Sequence, residues 1–306
     1  MRRREGRAWC APGPEAKPVL FLLPFLGALV VGHVLDNGPT HAATRTATHA
    51  AATHAHHAVN TSPALPPLGM RIVNGDSVDI VDYPFQASIE MRGHHICGAA
   101  IIAKNWVVSA KHCFSAPGAA DASAYRVRVG STQRQYGGSL HPVDRIVMYP
   151  SDAIVDYDVA VLHVAAPFTY GQTVSSIELA APSDAVPPAK RKVQVTGYGA
   201  IAEAPNSRLS PRLLKADLTT VEHKDCRDFF KERVPITVRM ICASSNRQDA
   251  CQGDSGGPLS ENLSGSWKLV GIVSFGLGCG RKGHPGIYAN IANHDIRNFI
   301  KSVTNV

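Results

Sequence analysis

From Arg71 onward the chain is written in short apolar runs separated by Gly, Pro, Asn and Asp. The runs stand at 96–102, 106–109, 125–129, 159–164, 193–196, 269–274 and 286–291. Segments this short, punctuated by turn-forming residues, are too brief for core helices and read as strands of an all-β sandwich or barrel. The stretch 180–190 carries Pro182, Pro187 and Pro188 and reads as a connector between two β units. Near the end, Ile296, Phe299, Ile300 and Val303 follow i, i+3, i+4, i+7 spacing behind Asn293, a capping residue. That pattern predicts a short amphipathic helix docked by one apolar stripe. A second helical segment is expected at 222–232.

The first 71 residues have a different texture. Arg2, Arg3, Arg4 and Arg7 precede an apolar run at 19–35, which small residues follow around Thr40 to Ala43. A basic region, an apolar region and a small-residue exit make up a secretory signal, assigned to residues 1–42. The alternative is a membrane anchor formed by 19–35, a length at the lower limit for a bilayer; Pro24, Gly27, Gly32 and His33 weaken it. Residues 43–71 are rich in Ala, Thr, His and Pro without hydrophobic period, and read as an activation propeptide. Its histidines, with no fold to hold ligand geometry, are not taken as a metal site.

Charge and cysteine content narrow the class. The formal charge of +7 invites a nucleic-acid reading, yet residues 1–71 hold seven Lys/Arg against three Asp/Glu. The remaining 24 basic and 21 acidic residues leave only +3, scattered along the chain, so a nucleic-acid partner is not expected. Seven cysteines are an odd set, but Cys10 lies in the segment expected to be removed. The other six, without the close pairs of a zinc site, fit disulfides in an oxidising compartment.

Chemistry concentrates in Asp249-Ala-Cys-Gln-Gly-Asp-Ser-Gly-Gly-Pro258. A serine hydroxyl is a poor nucleophile unless a base takes its proton and backbone donors receive the developing oxyanion. Glycines around Ser255 permit the tight backbone that aims neighbouring N–H groups at one point. Two further segments supply company. Ser109-Ala-Lys-His-Cys113 puts a histidine at the end of an apolar run beside a cysteine. Asp156-Tyr-Asp-Val-Ala-Val-Leu162 leads an acid straight into another, where a buried carboxylate can fix an imidazole tautomer.

With RIVNG at 71–75, SAKHC at 109–113, DVAVL at 158–162 and GDSGGP at 253–258, the chain resembles the trypsin-like, chymotrypsin-fold serine endopeptidases over residues 71–304. The resemblance implies two antiparallel six-stranded β-barrels with a C-terminal α-helix, forming a catalytic domain at 72–306. It implies Ser255 as nucleophile, His112 as general base and then acid, and Asp158, rather than Asp156, as the orienting carboxylate. The N–H groups of Gly253 and Ser255 would form the oxyanion hole. Asp249 would sit at the bottom of the primary pocket, with Ala250 beside it, Gly276 and Gly286 in its walls, and Ser274 to Gly276 pairing with extended substrate. Phe275 replaces the commoner Trp. Cleavage after Arg71 would free Ile72 to pair with Asp254, so the protein would be made as a zymogen.

The resemblance also implies the bridges Cys97–Cys113, Cys226–Cys242 and Cys251–Cys279. It implies no cofactor and no metal, and the acid-free loop at 130–142 argues against a carboxylate-built calcium site. The expected product is a secreted, extracellular monomer without stable membrane association. It would act on protein or peptide substrates with Arg, preferred, or Lys before the cut, and proteinaceous inhibitors would be natural partners. A protease-like binding protein that has lost catalysis is the alternative from another class. Asn60 and Asn262 lie in glycosylation sequons, and glycosylation is expected at Asn262. Lys111, where the family usually has Ala, lies beside the base with a side-chain direction the sequence does not give.

Overall fold

The computed structural model describes residues 75–306 apart from 117, 120, 154, 184, 204–206 and 247. The expected signal, propeptide and junction, including Arg71 and Ile72, lie outside the described residues. In chain order the first strands are β1 (Asp76–Ser77), β2 (Gln86–Met91), β3 (His94–Ala103), β4 (Trp106–Ser109), β5 (Tyr125–Val129), β6 (Ser139–Met148) and β7 (Ala160–Val164). They are followed by β8 (Glu178–Leu179), β9 (Lys192–Gly197) and β10 (Leu214–Thr220), then by helix α1 (His223–Phe230). The last elements are β11 (Met240–Ser244), β12 (Pro258–Leu263), β13 (Ser266–Phe275), β14 (Gly286–Asn290) and helix α2 (His294–Thr304).

Two closed barrels result. The first runs β2-β3-β4-β7-β6-β5 and closes through β5 on β2. Its β5, Tyr-Arg-Val-Arg-Val, shows why these residues pair: Tyr125, Val127 and Val129 point inward while Arg126 and Arg128 reach solvent. The inward side chains meet Ile89, Ile101, Val107, Phe114 and Leu162 in one core. The second ring runs β9-β10-β11-β14-β13-β12 and closes through β12 on β9, with β1 and β8 added at its margins. Val195, Ala216, Ile241, Leu259 and Val273 fill it. Each fully buried aliphatic side chain contributes about 1.5–3 kcal/mol against exposure, so these interiors carry most of the fold's stability.

A third cluster lies between the barrels and joins them. Ala100, Val108 and Val161 of the first ring pack with Leu269, Ile272 and Ala289 of the second. Helix α2 docks on the same cluster through Ile296 and Ile300, with Phe299 and Val303 half-buried beside them, as the spacing predicts. Its start is capped by Asn293, whose Oδ1 accepts from the Asp295 N–H at 3.2 Å. Its end is turned by Asn305 in the left-handed region at φ +62°, whose N–H reaches Lys301 O. Among the described residues no helix is long and apolar enough to cross a membrane.

All three expected disulfides form: Cys97–Cys113, Cys226–Cys242 and Cys251–Cys279. They close loops with separations of 16, 16 and 28 residues, each adding about 3–4 kcal/mol on a chain-entropy estimate. The first staples β3 to the turn carrying His112; the third ties the Ser255 segment to the loop after β13.

Candidate active site

His112 follows from the end of β4. That strand is buried along its whole length, and the chain leaves it through Ala110 into a 3-10 turn, Lys111–Phe114. The turn points the His112 ring at the entrance of β7. There its backbone N–H donates to Asp158 Oδ1 at 2.8 Å, and its Nδ1 donates to Oδ2 at 2.7 Å. A carboxylate only accepts, so the ring proton sits on Nδ1 and Nε2 presents a lone pair from a ring one-third exposed. Asp158 is 2% exposed and takes a third donor, the Ser274 hydroxyl of β13. Three donors, one from the second barrel, compensate the burial of its charge.

Ser255 sits on the turn that precedes β12. Asp254 N–H reaches Cys251 O, Gly257 N–H reaches Asp254 O, and Gly256 N–H reaches Val273 O. Two glycines of this turn stand at positive φ. A Cβ at Gly253, where φ is +89°, would lie 2.9 Å from Leu209 Cδ2; one at Gly256, at φ +79°, would lie 2.1 Å from Ser109 Oγ. The turn is locked to the first barrel by Gly98 N–H, which donates to Ser255 O at 2.7 Å. The N–H groups of Gly253 and Ser255 have no acceptor among the described residues. No hydrogen bond joins Ser255 Oγ to His112 Nε2 among the described residues, a looseness common in ligand-free sites that tighten on substrate.

Beside Ser255 opens a cavity of 390 Å³ lined by Asp249, Ala250, Ser274, Gly276, Gly286 and Tyr288, among others. Asp249 is 6% exposed and accepts from Gly280 N–H at 3.0 Å. Burial pushes its carboxyl up to about 6, helped by the nearby Glu203 charge and opposed by backbone N–H groups. Gly286 leaves room at the bottom: a Cβ there would stand 3.1 Å from Tyr288 Oη and 3.3 Å from Asp249 Oδ1. Glu203 stands at the rim in a two-pronged ion pair with Arg281, at 2.7 and 2.6 Å.

Asp254 is fully buried under this surface. Its oxygens accept from Gly199 N–H at 2.8 Å and Cys251 N–H at 3.0 Å, and no cation faces it among the described residues. Burial pushes its carboxyl up to about 7. His95 sits behind the same turn, with Nε2 2.8 Å from Gly253 O and Nδ1 2.7 Å from Ser88 Oγ. A carbonyl accepts, so Nε2 carries the proton, and burial lowers the ring to about 4, which keeps it neutral.

The structure thus gathers His112, Asp158, Ser255, Gly253, Asp249, Ala250, Ser274, Gly276, Gly286 and Asp254 on one face of the barrel junction. Sequence reasoning missed the Ser274 hydroxyl as an Asp158 partner and His95 as a brace on Gly253. It also left Lys111 open. Its buried ammonium donates to Ser151 O and Ala153 O, both at 2.8 Å.

Comparison with known proteins gives the family. The trypsin family model matches residues 72–300. The vitellin-degrading protease of Bombyx mori is 36% identical over 237 residues, covering 76% of this chain and 86% of its own length. Hypodermin-B of Hypoderma lineatum is 40% identical over 239 residues, covering 77% and 89%. Human transmembrane protease serine 5 is 37% identical over 235 residues, covering 74% of this chain and 50% of its own. Two barrels with this site between them define a chymotrypsin-fold serine protease. The chain belongs to the trypsin family.

Proposed function

We propose that the protein is a secreted serine endopeptidase, made as a zymogen and cutting after Arg or Lys. The observation that carries this reading is the convergence on one face of the His112–Asp158 pair, the glycine-framed Ser255 turn and a pocket floored by buried Asp249. In the reaction, Ser255 Oγ attacks the substrate carbonyl while His112 Nε2 takes its proton. The Gly253 and Ser255 N–H groups receive the oxyanion. His112 then hands the proton to the leaving amine, and water repeats the cycle on the acyl-enzyme. Asp158 holds the tautomer and offsets the imidazolium charge. Proteins and peptides are the substrates, and proteinaceous inhibitors would occupy the same cleft.

Asp249 supports cationic side chains before the cut: a carboxylate with low-dielectric walls attracts a guanidinium or ammonium. With Ala250 beside it, position 250 offers no hydroxyl to accept from a Lys ammonium, whereas a guanidinium can still bond the carboxylate in two prongs. Matched Arg and Lys peptides should therefore differ in kcat/KM in favour of Arg, and equal rates would contradict the assignment. Asp249→Ser should move preference away from basic residues. Because Asp249 is held near 6, it protonates as pH falls through that value and the pocket loses its charge. KM for Arg substrates should rise below pH 6 while KM for an uncharged ester substrate stays flat; parallel profiles would remove Asp249 from this role.

The zymogen reading rests on Arg71-Ile72 and on Asp254, a buried carboxylate without a cation among the described residues. Cleavage after Arg71 would deliver the Ile72 ammonium to it. Since the junction follows Arg, the enzyme can activate its own precursor. A second reading, tethering through residues 19–35, draws on the similarity to transmembrane protease serine 5. N-terminal sequencing and peptide-library cleavage of medium from expressing cells separates them. Soluble active protein beginning at Ile72 supports secretion, whereas activity confined to the membrane fraction supports tethering. Labelling by an active-site phosphonate excludes a catalytically silent protein.

A further inference from the structure

The residue before Asp158 is in a conformation its side chain does not favour. Tyr157 has φ +56°, the left-handed region that aromatic L-residues enter at a steric cost. Immediately after it, Val159 N–H donates back to Tyr157 O at 2.8 Å, closing a three-residue turn about Asp158. The Tyr157 backbone therefore sets the direction in which Asp158 leaves the chain. Relaxation to an ordinary φ would swing that carboxylate away from His112.

What holds Tyr157 comes from the start of its own loop, from the second barrel and from α2. The Tyr149 ring stacks on it at 4.3 Å with planes 16° apart. The Arg239 guanidinium lies over the ring at 4.3 Å from its centroid. Two groups at that distance pack tightly against one ring. Its hydroxyl donates to Asp295 of α2 at 3.3 Å. Arg239 is fixed in turn by Asp156: its Nε lies 3.0 Å from both carboxylate oxygens, and Nη2 makes a further bond. The Thr237 hydroxyl donates to the same carboxylate at 3.0 Å. Arg239 and Thr237 precede β11, a strand of the second barrel, whereas Asp156 and Tyr157 precede β7 of the first.

We propose that Asp156, Tyr157 and Arg239 form a cross-barrel clamp that positions Asp158, with Asp156 acting through Arg239 and not on the substrate. The clamp rests on the reading of Asp158 as the residue that orients His112. A planar guanidinium suits this place because one group stacks on a ring and forks onto a carboxylate together, which an ammonium cannot do. The three donors on Asp158 fix its carboxylate relative to His112; the clamp fixes the backbone from which that carboxylate hangs.

The test uses the cleaved full-length protein, with Arg239→Leu, Arg239→Lys and the double variant Tyr157→Asn plus Arg239→Leu. Two signals are read: kcat per phosphonate-titrated site, and the proton resonance of the His112 Nδ1–H bonded to Asp158. Arg239→Leu should lower kcat per site about tenfold or more with little change in KM, and broaden or shift that proton, since small misplacements of catalytic groups are costly. Arg239→Lys should fall between it and the wild type, and serves if the leucine variant does not fold. Asparagine tolerates the left-handed region, so the double variant should recover much of the loss. A role confined to stability predicts instead that the double variant is no better than Arg239→Leu. An unchanged proton together with unchanged kcat per site in the single variants overturns the clamp. A responsive proton in a wild type that hydrolyses nothing keeps the clamp and overturns the protease reading.

Discussion

Ser255→Ala protein is expected to lose peptide hydrolysis by a factor on the order of a millionfold, the scale seen when a protease nucleophile is removed. It should unfold at the wild-type temperature. The reason lies in what the hydroxyl does in the resting fold. Ser255 O is bonded to Gly98 N–H and its neighbours Gly256 and Gly257 secure the turn through their backbones. Its Oγ has no hydrogen-bond partner among the described residues, so deletion orphans no buried group. Function and stability separate cleanly at this position. They do not separate at Gly253, where any side chain meets Leu209 and the φ of +89° is strained as well. Burst titration and thermal unfolding of purified Ser255→Ala check the prediction: residual turnover within about a hundredfold of wild type would remove Ser255 from the nucleophile role.

The apolar runs mark some strands of the two barrels and not others. Strands at 106–109 and 125–129 end where the apolar runs end, because their residues face a packed interior. Strand β6 is different. Ser-Leu-His-Pro-Val-Asp-Arg-Ile-Val-Met is half exposed and carries Pro142, so no apolar run marks it. It is a strand because β5 and β7 need a partner to close the ring, a tertiary demand that overrides local preference. Similarly β12 starts at Pro258 and ends in the exposed Asn262 and Leu263, and it is the ring closure onto β9 that fixes it.

At the site, Ser255, His112 and Asp158 were legible because each lies in a compact motif. The preference for Asp158 over Asp156 rested on which acid directly precedes the strand, and the structure gives Asp156 to Arg239, 83 residues away. That separation explains why no local pattern could reveal the clamp. His95 was hidden for the same reason, its partner Gly253 lying 158 residues on. Lys111 stands out in the sequence as unusual, but only its side-chain direction, toward Ser151 and Ala153, gives it meaning.

Asp254 should show opposite consequences before and after cleavage at Arg71. In an uncleavable precursor, Arg71→Gln, its folded-state value of about 7 exceeds the ordinary 3.8 because burial disfavours the charge. A raised carboxyl contributes stability fully present below the unfolded value and lost as pH rises through the folded one. The precursor should therefore lose stability between pH 4 and pH 8, by about 4 kcal/mol from this group alone. Urea midpoints across that window measure the loss, and Asp254→Asn in the same precursor should flatten this part of the curve. In the cleaved protein the Ile72 ammonium is expected to supply the missing countercharge, so the slope should shrink without any substitution. There Asp254→Asn should remove the partner expected to draw Ile72 in. The turn that carries the Gly253 and Ser255 N–H groups then loses its anchor, and kcat/KM should fall by at least about a hundredfold, the scale of losing an oxyanion donor. A cleaved Asp254→Asn enzyme with wild-type kcat/KM, or an equal pH slope before and after cleavage, would show that Asp254 is buried for some other purpose than receiving Ile72.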